Sequence, residues 1–185
     1  MVENRVFVIT GAAGSGKTTV RDYLHDNFNM TTIITHTTRK PRDNEVDGID
    51  YYFETPQSFL QNHYLETVKY AGNLYGSSFE GLQRAWEKTP FATIVLDTAG
   101  AITYKQKLAD KAVVIFLKVG DKHKLLNRME KRGDKESIIA QRIHSKEYQR
   151  DLTLPKGLQG KAQVVINDQW GKTIEEIEAI INKYE

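Results

Sequence analysis

Three glycines, a lysine and two hydroxyl residues fall in one short run, Gly11-Ala12-Ala13-Gly14-Ser15-Gly16-Lys17-Thr18, which matches G-x-x-x-x-G-K-[ST]. This is a pattern for gripping phosphate. Glycines let successive backbone N–H groups turn into a single concavity that suits an anion. Lys17 adds a point charge for β- and γ-phosphates, and the Thr18 hydroxyl is placed to ligate Mg²⁺. Gly11, Ala12, Ala13, Gly14, Ser15, Gly16, Lys17, Thr18 and Thr19 are therefore the predicted nucleoside-triphosphate contacts.

Such a loop works only if a strand delivers it and a helix leaves it. Arg5 to Thr10 is rich in β-branched and aromatic residues and reads as a buried strand. Val20 to Leu24 continues as a helix, whose N-terminal dipole favours the same anion. That context separates the motif from a chance Gly-rich turn.

Other residues invite chemistry with weaker signals. Arg39 and Arg42 flank Pro41 in a polar loop, and two guanidinium forks on a stiffened backbone suit a second phosphate. A solvated surface loop fits the same residues equally well. Tyr64 to Tyr70 alternates as a strand and places Glu66 on the face of Tyr64 and Val68, where a carboxylate needs a partner or a ligand. Phe91 to Leu96 is a continuous apolar run closed by Asp97, which reads as a buried parallel strand ending at the ligand edge of an α/β sheet. Helices over Asp121 to Lys131 and Lys135 to Arg150 carry Arg128, Arg132 and Arg142. Periodicity alone makes that hairpin a solvated face. The five histidines show no metal-ligand spacing, and no Ser-His-Asp arrangement stands out.

The remaining elements follow in order. Met30 to Thr35 reads as a short strand, Thr55-Pro56 as the capped start of a short helix, and Gly72 to Ser78 as a Gly-punctuated turn. Helices are predicted over Phe79 to Lys88 and Ala101 to Leu108, with strands over Ala112 to Lys118 and Gln163 to Ile166. A capping box of Thr173 with Glu176 predicts the start of the final helix. The 185 residues suit one α/β domain, and a formal net charge of +2 is too small to argue for nucleic acid or membrane. With no cysteine there are no disulfides, which fits a reducing cytoplasm.

Taken together, several segments resemble guanylate kinase: Gly11 to Thr18, Thr37-Thr38-Arg39-Lys40-Pro41-Arg42, Glu45 to Gly48, Asp50 to Phe53, Glu66, Gly72-Asn73-Leu74-Tyr75-Gly76-Ser77-Ser78, Asp97 with Gly100, Arg128 to Gly133 and Val165 to Asp168. The resemblance implies a P-loop core (about 1–34, 89–120 and 146–185) with a parallel sheet flanked by helices. It adds an inserted GMP-binding subdomain at about 35–88 and a helical lid at about 121–145. It implies ATP-dependent, Mg²⁺-requiring phosphorylation of GMP to GDP, with ATP and GMP as partners. By position, Arg39, Arg42, Tyr51 and Tyr75 would hold the GMP phosphate, and Thr35, Glu66, Ser77 and Asp97 would read guanine. Lys17, Arg39, Arg128, Arg132 and Arg142 would act on the transferring phosphoryl group, and Asn167 would pass near adenine, a capping or turn role being an equal alternative.

One departure stands out. The family usually carries Asp-x-Asp where this chain has Val95-Leu96-Asp97, so the first acidic residue, associated with metal-bound water, is absent. Two rival readings are a same-fold kinase for another phosphorylated acceptor and a non-catalytic binding module. The acceptor-only pair Glu66 and Asp97 weighs against the first, and the complete phosphate loop weighs against the second.

Overall fold

The structure is a computed structural model describing residues 3–41, 43, 45–70 and 72–185; Arg42 lies outside the described residues. The chain runs β1 (Arg5–Thr10), α1 (Lys17–Phe28), β2 (Thr31–Thr32), β3 (His36–Thr37), β4 (Tyr52–Phe53), α2 (Pro56–Phe59), β5 (Tyr64–Tyr70), β6 (Asn73–Ser78) and α3 (Phe79–Lys88). It continues through β7 (Phe91–Val95), α4 (Thr98–Leu108), β8 (Ala112–Lys118), α5 (Lys122–Lys131), α6 (Glu136–Ile143), α7 (Lys146–Asp151), β9 (Ala162–Ile166) and α8 (Trp170–Ile181).

The central sheet has five strands in the order β2-β7-β1-β8-β9, and every pairing in it is parallel. β1 is buried from Val6 to Thr10 because apolar side chains occupy both of its faces. Val6 and Val8 join Ile94, Val114 and Tyr104 in one core. Phe7 and Ile9 join Leu24, Ile115 and Ile177 in the other. Helices α3 and α4 contribute to the first core, and α1 and α8 to the second. Fully burying an aliphatic or Phe side chain contributes about 1.5–3 kcal/mol, so these two layers hold the strand ends still. The carboxyl ends of β1, β7, β8 and β9 consequently share one edge, where open α/β sheets place ligands.

A second sheet, of four strands in the order β4-β3-β6-β5, is formed by the segment between β2 and α3. Its interior hub is His36, whose Nδ1 lies 2.7 Å from Glu54 Oε1 and whose Nε2 lies 2.7 Å from Ser78 Oγ. Ser78 also accepts the Gly81 N–H and so caps α3. A third apolar cluster, with Leu125, Met129, Ile139 and Tyr148, packs α5, α6 and α7 against Ala12.

Five local expectations need correction. The Gly72 to Ser78 segment is mostly strand β6, because its residues pair antiparallel with β5 and β3 and tertiary pairing overrides the turn signal of its glycines. The predicted strand at Met30 to Thr35 reduces to Thr31–Thr32. The helix expected over Lys135 to Arg150 breaks at His144-Ser145, where Ser145 Oγ accepts the Tyr148 N–H and starts α7. The α4 helix begins earlier, at Thr98, because Asp97 caps it through the Gly100 N–H. The last helix begins at Trp170; Thr173 is buried inside it, and its hydroxyl reaches Asn167 Oδ1 at 3.0 Å and the Gln169 carbonyl at 3.1 Å.

Candidate active site

The Gly11–Thr18 loop leaves β1 and enters α1 directly, as its motif requires. Gly14 and Gly16 sit at φ 80° and 94°, a region costly for residues with a Cβ. A Cβ would also collide: at Gly14 it would lie 2.7 Å from the Leu125 carbonyl, and at Gly16 2.3 Å from Asn167 Nδ2. The glycines are thus needed both for the turn and for the approach of α5 and Asn167. Asn167 is buried, donates to the Ser15 carbonyl at 2.8 Å, and accepts the Thr173 hydroxyl. It braces the loop from behind, which is a structural role beyond the adenine contact or simple turn that sequence reading offered.

Lys17 Nζ donates to the carbonyls of Gly11 and Ala12 at 2.8 and 2.9 Å, curling over the loop. Burial lowers its pKa to about 8; the Asp151 carboxylate opposes that fall, while Arg132 and Arg142 deepen it. Four cations therefore gather at one place. A cleft of about 800 Å³ is lined by Gly14, Lys17, Thr18, Thr19, Arg128, Arg132, Arg142 and Asn167, among others. The expected lid arginines and the loop are brought together by the fold, in distinct ways. Arg128 donates to the Gly14 and Asn167 carbonyls, at 3.3 and 2.7 Å, and is tied to the loop backbone. Arg132 and Arg142 both converge on Asp134 at the α5–α6 turn, and the Arg132 fork holds the Asp134 carboxyl below its ordinary range. Arg132 is largely exposed, so that pair contributes little to stability and opens at small cost.

The second group of predicted residues converges on a cavity of about 300 Å³ between the two sheets. Thr35, Tyr51, Glu66, Tyr75 and Asp97 all line it, as does Val95. Ser77 is buried alongside and donates to Glu66 Oε1 at 3.0 Å. A register shift between Tyr64 and Glu66 breaks the simple alternation of β5. Burial raises the Glu66 pKa, the Ser77 hydroxyl opposes that rise, and the charge of Asp97 adds to it. Asp97 caps α4, accepting the Gly100 N–H at 2.7 Å.

Arg39 sits at the mouth of this region. Its fork meets Glu45 through two bonds of 2.9 and 2.8 Å, and its guanidinium lies 5.5 Å from the Tyr51 ring centre. Tyr51 and Tyr75 contact each other edge to face at 6.3 Å. Glu45 raises the Arg39 pKa further, so the cation is permanent. Glu45 entered the sequence reading only as part of the Glu45 to Gly48 segment, with no role of its own, and Asp134, Arg150 and Asp151 were not singled out. Glu45 and Asp134 each lie within six residues of an arginine that was, which is the available signal for them; Arg150 and Asp151 connect to the site only through the tertiary fold. Among the described residues no cluster of three or more His, Cys, Asp or Glu could hold a metal, and no helix is long and apolar enough to cross a membrane.

The chain is similar to known proteins over most of its length. The guanylate kinase family model matches residues 3–184. A guanylate kinase of Lactobacillus delbrueckii subsp. bulgaricus is 33% identical over 184 residues, covering 96% of this chain and 87% of that protein. One from Thermus thermophilus is 34% identical over 153 residues, covering 80% of this chain and 69% of that protein. The crystal structure of guanylate kinase from Anaplasma phagocytophilum superposes with a TM-score of 0.63 at 22% identity, covering 98% of this chain and 86% of that one. The chain belongs to the guanylate kinase family of nucleoside monophosphate kinases.

Proposed function

We propose that this chain transfers the γ-phosphoryl group of ATP to GMP, with the cleft over Lys17 as the donor site and the cavity around Glu66 as the acceptor site. The observation that carries the reading is the convergence of Thr35, Tyr51, Glu66, Tyr75 and Asp97 on one cavity. Glu66 and Asp97 are acceptors when ionised, and guanine offers N1–H and N2–H donors to match them. A sugar-phosphate acceptor would bring hydroxyls to this cavity, without the fixed pair of N–H donors that guanine presents to the two carboxylates.

In the donor cleft the loop N–H groups and Lys17 hold the triphosphate. Arg132 and Arg142 exchange Asp134 for the phosphoryl oxygens, where their charge is worth more in a closed, water-poor site. Arg39, Tyr51 and Tyr75 orient the GMP phosphate, with Arg42 as a further ligand of the same anion. A GMP phosphate oxygen then attacks the γ-phosphorus as the bond to the β–γ bridging oxygen breaks, giving GDP and ADP. The attacking oxygen is already anionic, so the transfer depends on positioning and charge neutralisation, with no general base required.

Thr18 is exposed at the cleft and offers one hydroxyl, whereas the side chain of Val95 offers no oxygen. That donor set fits Mg²⁺ held chiefly by phosphate oxygens and water. Bound beside Thr18, Mg²⁺ would supply neutralisation of the triphosphate charge. Residues of about 35–88 serve as the GMP-binding subdomain and about 121–145 as the lid. The cysteine-free composition is consistent with work in the cytoplasm. Incubation with Mg-ATP and GMP should yield equimolar ADP and GDP on ion-exchange chromatography. ADP formed without GDP, or faster product formation from a sugar phosphate, would contradict it.

A further inference from the structure

The end of α7, directly after the lid, is laced to the start of α4 by a closed ring of polar bonds. Arg150 Nη2 donates to Asp97 Oδ2 at 2.9 Å, and Arg150 Nε donates to Asp151 Oδ1 at 2.8 Å. The Thr98 hydroxyl donates to the same Asp151 oxygen at 2.5 Å. Asp97 and Thr98 are consecutive, as are Arg150 and Asp151, so the two chain segments cannot slide past one another without breaking two of these bonds. Thr98 and Asp151 are buried. Asp97 is held at both oxygens, Oδ1 by the Gly100 N–H and Oδ2 by Arg150. A carboxylate has about four acceptor sites, so capacity remains toward the cavity.

We propose that Arg150 is a positioning residue for base selectivity: it fixes the Asp97 carboxylate in the acceptor cavity and ties it to the helix end that follows the lid. The charge arrangement supports this. Asp97 shares its cavity with Glu66 and its bridging arginine with Asp151. Removing the guanidinium takes away the direct bridge between Asp97 and Asp151 and leaves Lys17 as the remaining cation that interacts with both carboxylates. Arg150 and Asp97 are 37% and 39% exposed, and such a pair adds little to folding. Its consequence therefore falls on recognition, where a guanine amine must find Asp97 already aimed.

The inference rests on reading the cavity as a guanine site, and kinetics with GMP and IMP separate the two claims. IMP lacks the exocyclic amine, the guanine donor that this proposal gives to Asp97, so it would make little use of that carboxylate. R150A should raise KM for GMP roughly tenfold, the scale of one hydrogen bond to a charged group. It should leave KM for IMP and kcat within about threefold and Tm nearly unchanged. R150K, with one ammonium shared between the two carboxylates, should recover part of the GMP-over-IMP preference. If R150A fails to fold, R150K decides alone, with a preference between wild type and none. Equal losses for GMP and IMP, or an unchanged preference in a folded variant, would overturn the role of Arg150. A wild type that treats GMP and IMP alike would overturn the guanine reading first.

Discussion

The Gly11–Thr18 loop and the cavity around Glu66 are built by opposite means. In Gly11–Thr18 the shape resides in the backbone: positive-φ glycines, carbonyls that receive Lys17 and Arg128, and Asn167 wedged where a Cβ would collide. Around Glu66 the shape resides in side chains drawn from β5, β6, the β7–α4 turn and the Arg39 loop, joined by single hydrogen bonds and ion pairs. The first arrangement suits a ligand part common to all nucleotides. The second suits a part that differs between them, because exchanging one side chain changes what is recognised. Damage to the loop should therefore remove turnover altogether, and damage to the cavity should redirect it.

The largest effect is expected at Lys17. Lys17→Ala should lower kcat by about 10³-fold or more, since electrostatic stabilisation of a developing charge is usually the largest single contribution. Its fold should survive, because the ammonium is disfavoured by burial: with a pKa brought down from 10.5 to about 8, the wild type gains stability as pH rises from about 8 towards 10.5. That gain should vanish in the variant, which thermal unfolding across this range reads directly. Full turnover in Lys17→Ala would remove the donor site from this cleft.

Next come the two arginines that meet at Asp134. Arg132→Ala and Arg142→Ala should each reduce kcat far more than they raise KM for GMP, with arginines in such roles contributing roughly 10³–10⁵ in rate. A loss below tenfold for both would make their meeting at Asp134 a surface feature only.

At the cavity, Glu66→Gln should lower kcat/KM for GMP by roughly 10- to 100-fold, a hydrogen bond to a charged group, and for AMP by much less. It also tests a pH effect. Burial raises the Glu66 pKa, so its folded pKa exceeds its unfolded one. Its stabilising contribution is present below the unfolded pKa and lost as pH rises through the folded one. Glu66→Gln should accordingly unfold at a higher temperature than the wild type at neutral pH. KM for GMP should rise on acidification, beginning above the ordinary carboxylate range, and that rise should flatten in the variant. An identical pH profile in both proteins would separate Glu66 from base recognition.

The smallest effect concerns Val95. Val95→Asp should lower the Mg²⁺ concentration for half-maximal rate by a few fold, by adding a carboxylate that can hold metal-bound water. A folded variant with an unchanged Mg²⁺ titration would show that this strand end has no part in metal affinity.

The same contrast explains what could be read from the sequence. The strand, loop and helix of the donor site are contiguous, so local residue types specify them completely. Strand patterning marked Glu66 and Asp97 separately, but their meeting in one cavity was reachable through the resemblance alone, since no spacing rule links them and their approach depends on where two sheets meet. The β6 strand was hidden because Gly72, Gly76 and the serines carry a turn signal that antiparallel pairing overrides. The Arg150 ring was hidden for a related reason: it joins residues 53 apart, and the Lys135 to Arg150 run concealed the Ser145 cap that turns α7 toward Asp97.

The acceptor preference tests the central claim most directly. With saturating Mg-ATP, kcat/KM should be measured for GMP, IMP, AMP and a pyrimidine monophosphate by coupled ADP release. A site built to hydrogen-bond its substrate strands its own polar groups against an analogue without the donors, so GMP should exceed AMP by roughly 10⁴-fold, with IMP between them. AMP or a pyrimidine monophosphate as the best acceptor would contradict the account.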